Sequence, residues 1–146
     1  MAKRGFRLEQ VLDYRKEVER VRTLELVAAR QEFEGASERL KQEEQKVGRL
    51  NTEFLDRQRE GISAMELQIY ADFFQRKSND MKLQRLEADS LGSRMEEKRE
   101  ILIGAAKEKK VLESLKEKKV LAQKREISEK ERAFLEELAL RNRGVK

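Results

Sequence analysis

The chain has 146 residues, of which 34 are basic and 29 acidic, so its formal net charge is +5. It contains no proline, cysteine, histidine or tryptophan. A composition rich in Ala, Glu, Lys, Leu and Arg is typical of long helices and coiled coils. Since histidine for acid–base catalysis and a cysteine nucleophile are both lacking, the composition argues against an enzyme and predicts no cofactor or metal.

The sequence contains no recognisable membrane-spanning segment or signal peptide. No apolar run reaches the roughly 18 residues of a transmembrane helix, so we expect no membrane span. The opening segment, MAKRGFRLEQ, lacks the apolar stretch of a signal peptide. The sequence therefore predicts a cytoplasmic protein.

The first half of the chain predicts one coiled-coil helix over about residues 6–60. Between positions 26 and 54, eight of nine residues at alternating steps of three and four are apolar, with Glu43 as the exception. A further apolar seam upstream consists of Leu8, Val11, Val18 and Val21. We expect the two seams to join through a stutter, where four-residue steps locally unwind the supercoil.

Gly61, Ile62 and Ser63 separate the two halves. Gly61 suits the left-handed conformation that ends a helix, while Ser63 and Glu66 fit the S-x-x-E capping box that starts one. A stop and a start this close predict a tight turn at 61–63. Because short connections join antiparallel neighbours, the predicted fold is all-α, a single antiparallel coiled-coil hairpin over residues 1–146.

The second half predicts a longer helix over about residues 63–141. Ten of fourteen seam positions between 67 and 112 are apolar, and the exceptions are Lys77, Gln84, Lys98 and Lys109. After a second predicted stutter, the stripe continues through Val120, Ile127, Phe134 and Leu138. In an antiparallel hairpin Leu8 would lie opposite about Leu115, and the rest of helix 2 would overhang. An apolar stripe without an intramolecular partner predicts binding to another protein or a second copy.

Basic residues concentrate in the segment 107–125, whose net charge of +5 equals that of the whole chain. They predict an electrostatic contact with an acidic partner, although an ordinary solvated helix face gives the same pattern. Interleaved glutamates and the lack of stacking aromatics argue against nucleic acid. The predicted basic patch consists of Lys107, Lys109, Lys110, Lys116, Lys118, Lys119, Lys124 and Arg125.

Three of the eight aromatic residues follow the turn closely, at Tyr70, Phe73 and Phe74. Tyr70 and Phe74 fall on the predicted seam, where they would pack in the core. Phe73 lies one step off the seam and should be at least partly exposed. A partner contact near the turn is therefore centred on Phe73.

Three segments, in this order, resemble the FliJ family, the small coiled-coil proteins of the flagellar type III export apparatus. They are FRLEQVLDYRKEVERVRTLELVAARQEF near the start, GISAMELQIYADFF at the bend and KREISEKERAFLEELALRNR in the tail. The resemblance implies a non-catalytic stalk in the central hole of the hexameric export ATPase, linked to the export-gate membrane protein. It also implies the handling of export chaperones and a position at the cytoplasmic face of the inner membrane.

The resemblance also suggests a role for each end of the hairpin. The family's Y-x-x-F pattern matches Tyr70 and Phe73, so Tyr70, Phe73 and Phe74 are the predicted gate contact. Where the family has an aliphatic residue one turn later, this chain has Lys77. The predicted contact with the ATPase ring consists of Phe6, Leu8, Val11, Ile127, Phe134 and Leu138.

Other interpretations stay open at this point. The chain could be a generic coiled-coil scaffold that self-associates through the overhang. It could bind nucleic acid or anionic membranes through 107–125, or act as a clamp whose arms open around clients. A clamp needs a weak seam, whereas polar seam residues more often fix register. An injectisome stalk would carry the same pattern.

Overall fold

The protein consists of two long helices, and the computed structural model describes residues 5–144. Helix α1 spans Glu9–Glu60 and helix α2 spans Ala64–Gly144. The predicted all-α class and the predicted turn are confirmed. The chain divides into two compact units, to which both helices contribute. The terminal unit combines Met1–Arg20 with Ile103–Lys146, and the turn unit is Val21–Leu102.

The turn has the chemistry that the sequence predicts. Gly61 has a φ of 101°, in the left-handed region that favours glycine. The Ser63 Oγ accepts a hydrogen bond from the Glu66 N–H at 3.1 Å, and the Ser63 carbonyl accepts one from the Leu67 N–H at 2.9 Å. Ser63 is therefore the N-cap of α2, which explains why the helix itself begins at Ala64.

Helix α1 begins three residues later than predicted. Arg7 and Leu8 form a turn in which the Phe6 carbonyl accepts a hydrogen bond from the Glu9 N–H at 3.1 Å. The carbonyl of Leu8 then accepts the first helical bond, from the Leu12 N–H at 2.8 Å. Glu9 supplies an acidic side chain in the first turn, where it complements the helix dipole.

In the turn unit the two helices run antiparallel. Lys77 lies 3.0 Å from Glu43, and Lys98 lies 3.8 Å from Glu25. A later residue of α2 therefore contacts an earlier residue of α1, as expected for antiparallel helices. The predicted seam is confirmed here: its positions from 26 to 54 and from 70 to 102 are all buried or half-buried. Leu67, at the end of the predicted seam, is exposed.

The terminal unit is also antiparallel. Lys109 Nζ lies 2.8 Å from Glu19, and Lys116 Nζ lies 2.9 Å from Glu9. Lys119 Nζ also donates a hydrogen bond to the carbonyl of Gly5, just before α1, at 2.6 Å. Gln123 is the last half-buried residue of α2 among those described. Beyond it α2 continues, and residues 124–144 are all exposed. The predicted overhang is confirmed.

The two predicted stutters are wrong for the seam that joins the helices. Covered positions in α1 keep steps of three and four upstream of Leu26, and those in α2 do so downstream of Leu112. The residues at these positions are Leu12, Arg15, Glu19 and Arg22 in α1, and Lys116, Lys119 and Gln123 in α2. Long side chains cover apolar surface with their aliphatic stems while the charge reaches a partner. Polar residues therefore occupy these seam positions, whereas the apolar pattern of the sequence had placed the seam at adjacent residues.

Polar residues inside the seam have partners across it. Among the predicted exceptions, Lys77, Lys98 and Lys109 each form an ion pair with a glutamate of α1. Gln84 is half-buried, and its Oε1 is enclosed without a hydrogen-bond partner. A change of register would separate the paired charges, so these residues favour one alignment of the helices, as polar seam positions do in coiled coils.

We predict opposite effects for alanine at two glycines. Gly61→Ala should destabilise the chain by about 1 kcal/mol, because a side chain disfavours the left-handed conformation. Gly35→Ala should stabilise it by up to about 1 kcal/mol, since Gly35 lies inside α1 and its Cβ would meet nothing within 4 Å. Urea unfolding followed by circular dichroism measures both effects. Equal and same-signed shifts would contradict the assigned turn conformation.

We also predict that stability falls at both extremes of pH. The hydrogen bond from Lys77 lowers the pKa of Glu43, so its contribution is lost as pH falls through the lowered folded pKa. The hydrogen bond to Glu19 raises the pKa of Lys109, so its contribution is lost as pH rises through the raised folded pKa. Melting temperatures should therefore be flat between about pH 5 and 10.

The matched variants for this experiment are Glu43→Gln and Lys77→Gln. Each removes the same pair, so each should flatten the same part of the acidic decline in melting temperature. An acidic decline that is unchanged in Glu43→Gln would show that this ion pair contributes nothing.

Candidate protein-interaction surfaces

An aromatic cluster closes the seam beside the turn. The ring centroid of Phe54 lies 4.8 Å from that of Tyr70 and 5.7 Å from that of Phe74. Both residues of α2 are half-buried, as their seam positions predict. The rings of Tyr70 and Phe74 are therefore part of the local core, and only their uncovered edges are available to a partner.

Phe73 is half-buried and lies at the edge of this cluster. Its ring centroid is 6.0 Å from that of Phe74, in an edge-to-face arrangement. The Nζ of Lys77 lies 5.8 Å from the centroid of Phe73, in addition to its ion pair with Glu43. Lys77 thus covers part of Phe73, which reduces the surface that this ring can offer to a partner.

A second apolar feature near the turn was not predicted. Met65, Ile69 and Phe73 are four residues apart, so they lie on one face of α2. Met65 is 77% exposed and Ile69 is 61% exposed. Their four-residue spacing is visible in the sequence, but these residues lie outside the seam of alternating three- and four-residue steps. We call Met65, Ile69 and Phe73 the turn stripe.

The residues predicted to contact the ATPase ring do not form one patch. Phe6 is half-buried, whereas Leu8 and Val11 are exposed near the start of α1. Ile127 and Phe134 are exposed on the overhang, about 12 and 22 Å along α2 beyond Lys119. Leu138 is exposed there as well. The overhang therefore presents its own apolar stripe, Val120, Ile127, Phe134 and Leu138.

The predicted basic patch divides into three parts. Lys109 and Lys116 turn towards α1, where they bind Glu19 and Glu9, and Lys119 binds the Gly5 carbonyl just before α1. Lys124 and Arg125 are exposed at the start of the overhang. The remaining three lysines line a shallow groove on α2 together with Val111, Ser114 and Leu115; they are Lys107, Lys110 and Lys118.

The turn unit carries an acidic groove of its own. Phe33 and Ile101 supply its apolar surface, and Gly92 allows close approach, since a Cβ there would lie 3.0 Å from Phe33 Cε1. The acidic residues that line it are Asp89, Glu96, Glu97 and Glu100. Within residues 5–144, no group of three or more acidic side chains is arranged to hold a metal ion.

Neither described helix is both long and apolar enough to cross a membrane.

Comparison with known proteins identifies one family. The family model described as the flagellar FliJ protein matches residues 3–145, nearly the whole chain. No curated protein and no solved structure matches the chain.

Proposed function

Because the chain belongs to the FliJ family of flagellar export proteins, we propose that it serves as the stalk of the flagellar export ATPase. In this role it does not catalyse a reaction. It inserts into the hexameric ATPase ring, couples that ring to the export-gate membrane protein and handles export chaperones. It works at the cytoplasmic face of the inner membrane. The match over residues 3–145 is the observation that carries this proposal.

The overhang is the part that best suits insertion into a ring. Residues 124–144 remain helical and exposed, although α1 no longer lies beside them. Isolated helices are only marginally stable in water, so a helix of this kind gains stability when a partner covers its apolar face. Ile127, Phe134 and Leu138 recur every four or seven residues and supply that face.

The turn stripe is the part that best suits the export gate. Tyr70 and Phe74 are held in the cluster with Phe54, so they position α2 near the turn. Met65 and Ile69 are exposed beside them and extend the surface of Phe73. We assign the gate contact to the turn stripe. Tyr70 and Phe74 contribute indirectly, because they pack in the seam and hold this part of α2 in place.

The first test changes the overhang and measures ATPase stimulation. Full-length protein should stimulate the cognate hexameric ATPase, and a chain ending at Gln123, the last half-buried residue among those described, should not. The double variant Ile127→Ser/Phe134→Ser should raise the half-maximal concentration about tenfold or more, as expected when a buried anchor is lost.

The matched control is Leu121→Ser/Leu135→Ser, which changes two other exposed leucines of the same segment. It should stimulate like the unaltered chain. Equal loss in both double variants would contradict the assigned face. Unimpaired stimulation by the chain ending at Gln123 would contradict insertion of the overhang, and dimers without any effect on the ATPase would favour a self-associating scaffold.

The second test concerns the gate. Met65→Ser/Ile69→Ser should weaken binding to the cytoplasmic domain of the gate protein about tenfold, because it removes exposed apolar contacts without touching the seam. Leu83→Ser/Leu86→Ser is the control, since these leucines are 67% and 66% exposed elsewhere on α2. Isothermal titration calorimetry gives the affinities, and circular dichroism checks that helicity is unchanged. Unaltered affinity of the first variant would remove the turn stripe from the interface.

A further inference from the structure

The terminal unit carries a second apolar seam on α1, beside the one that joins the helices. Val11, Tyr14 and Val18 repeat the three-and-four spacing one residue before the covered positions. Tyr14 is 62% exposed, Val11 is exposed and Val18 is half-buried. Single exposed apolar residues are common on protein surfaces, but a periodic set on one helix face indicates a helix-packing surface.

Helix α2 presents apolar residues at matching levels. The pairs Arg15–Glu108 and Lys116–Glu9 set a register in which residue 11 lies level with residues 112–114, and residue 14 lies level with residues 109–111. Val111 and Leu115 therefore lie within one helical turn of these levels. Val111 is 61% exposed, and Leu115 is exposed. Val111 and Leu115 also form the apolar surface of the groove on α2.

The heptad positions place these residues on the same flank. If the seam residues are a and d, then Val11, Val18 and Leu115 are all g positions. In an antiparallel pair the g positions of the two helices border the seam on the same side. Within the turn unit, Glu32 and Arg94 are both g positions, and their charges are 3.8 Å apart. We call Val11, Tyr14, Val18, Val111 and Leu115 the apolar flank.

Charge distinguishes the possible occupants of this flank. Lys107, Lys110 and Lys118 line the groove with Val111 and Leu115. Acidic residues near this level are already paired: Glu108 with Arg15, Glu17 with Arg20 and Glu113 with Lys109. The apolar flank therefore has an apolar centre and positively charged edges.

We infer that the apolar flank binds an amphipathic helix of a partner protein, with an apolar seam and acidic edges, which completes a three-helix coiled coil. Nucleic acid would use the lysines but not the apolar centre, and a second copy of the flank would place like charges together. This inference does not rest on the contact with the ATPase ring. Val11 belongs to both sets, but the variants below change only residues outside those predicted for the ring, so the two ideas fail separately.

The test uses the full chain and two synthetic peptides of three heptads with Leu at a and d. One peptide has Glu at e and g, and the other has Lys at these positions. The like charges keep each peptide from self-assembly, so a gain of helicity on mixing reports binding. At about 50 mM salt the acidic peptide should bind at least tenfold more tightly than the basic one, because surface charges are weakly screened there.

Two variants separate the apolar from the electrostatic part. Tyr14→Ser/Leu115→Ser should weaken binding of the acidic peptide about tenfold or more. Lys107→Gln/Lys118→Gln should weaken it several-fold and reduce its dependence on salt. Leu121→Ser, at an exposed position of the same helix, should leave the affinity unchanged.

Three outcomes would overturn the inference. One is equal affinity for the acidic and basic peptides. Another is unchanged binding by Tyr14→Ser/Leu115→Ser. The third is binding of a 20-base-pair DNA duplex that is tighter than peptide binding and is lost only in Lys107→Gln/Lys118→Gln, because that result would assign the lysines to nucleic acid.

Discussion

In a pair of helices, each helix can bury only one stripe of its partner's surface, and this constraint governs the rest of the structure. Among residues 5–144 only Leu12 and four alanines are buried, namely Ala29, Ala36, Ala88 and Ala105. The remaining seam positions are half-buried, so stability comes from many modest contributions along the seam and not from an enclosed core. Apolar stripes outside the seam have no intramolecular cover, and for that reason they are where partners are expected.

Alignment of the helices depends on charges more than on shape. A seam of alternating apolar residues is nearly periodic, so a shift by one heptad would still bury apolar surface. Lys77 and Lys109 break this degeneracy in the observed register. The positions one heptad away from their partners, Glu43 and Glu19, are apolar. Exposed ion pairs add little free energy. Their role is to disfavour the alternatives, and a chain with such a defined register is poorly suited to act as a clamp that opens around clients.

The sequence predicted those features that follow from short-range chemistry or from apolar periodicity. Gly61 and Ser63 identified the turn because a left-handed glycine and an N-cap serine act locally. The seam from 26 to 54 was predicted because its residues are nearly all apolar. On α1 the seam of the terminal unit was misplaced by one residue, since Arg15, Glu19 and other long polar side chains occupy it through contacts made across the helices. On α2 the predicted positions 105, 109 and 112 are covered, as expected.

The candidate surfaces were predicted less well than the fold. A count of lysines could not separate those that bind α1 from those that border the groove, because the difference depends on helix phase. The turn stripe was visible as a four-residue spacing, but whether Met65 and Ile69 were exposed depended on where α1 ends. Phe73 was correctly expected to be partly exposed, while the partial cover provided by Lys77 required the three-dimensional structure.

The residues that occupy the seam differ between the two units. Beside the turn, aromatic rings occupy the seam, so the residues with the most apolar surface are used to hold the helices together. In the terminal unit, Glu19, Lys109 and Lys116 share the seam with Leu12, Ala105 and Leu112, while Tyr14 and Val111 face outwards. Intramolecular stability alone would favour apolar side chains at the three charged positions. Local choices that oppose stability are expected at functional sites, and exposed apolar residues beside charged seam positions are therefore an argument that the outer surface of the terminal unit is built for binding.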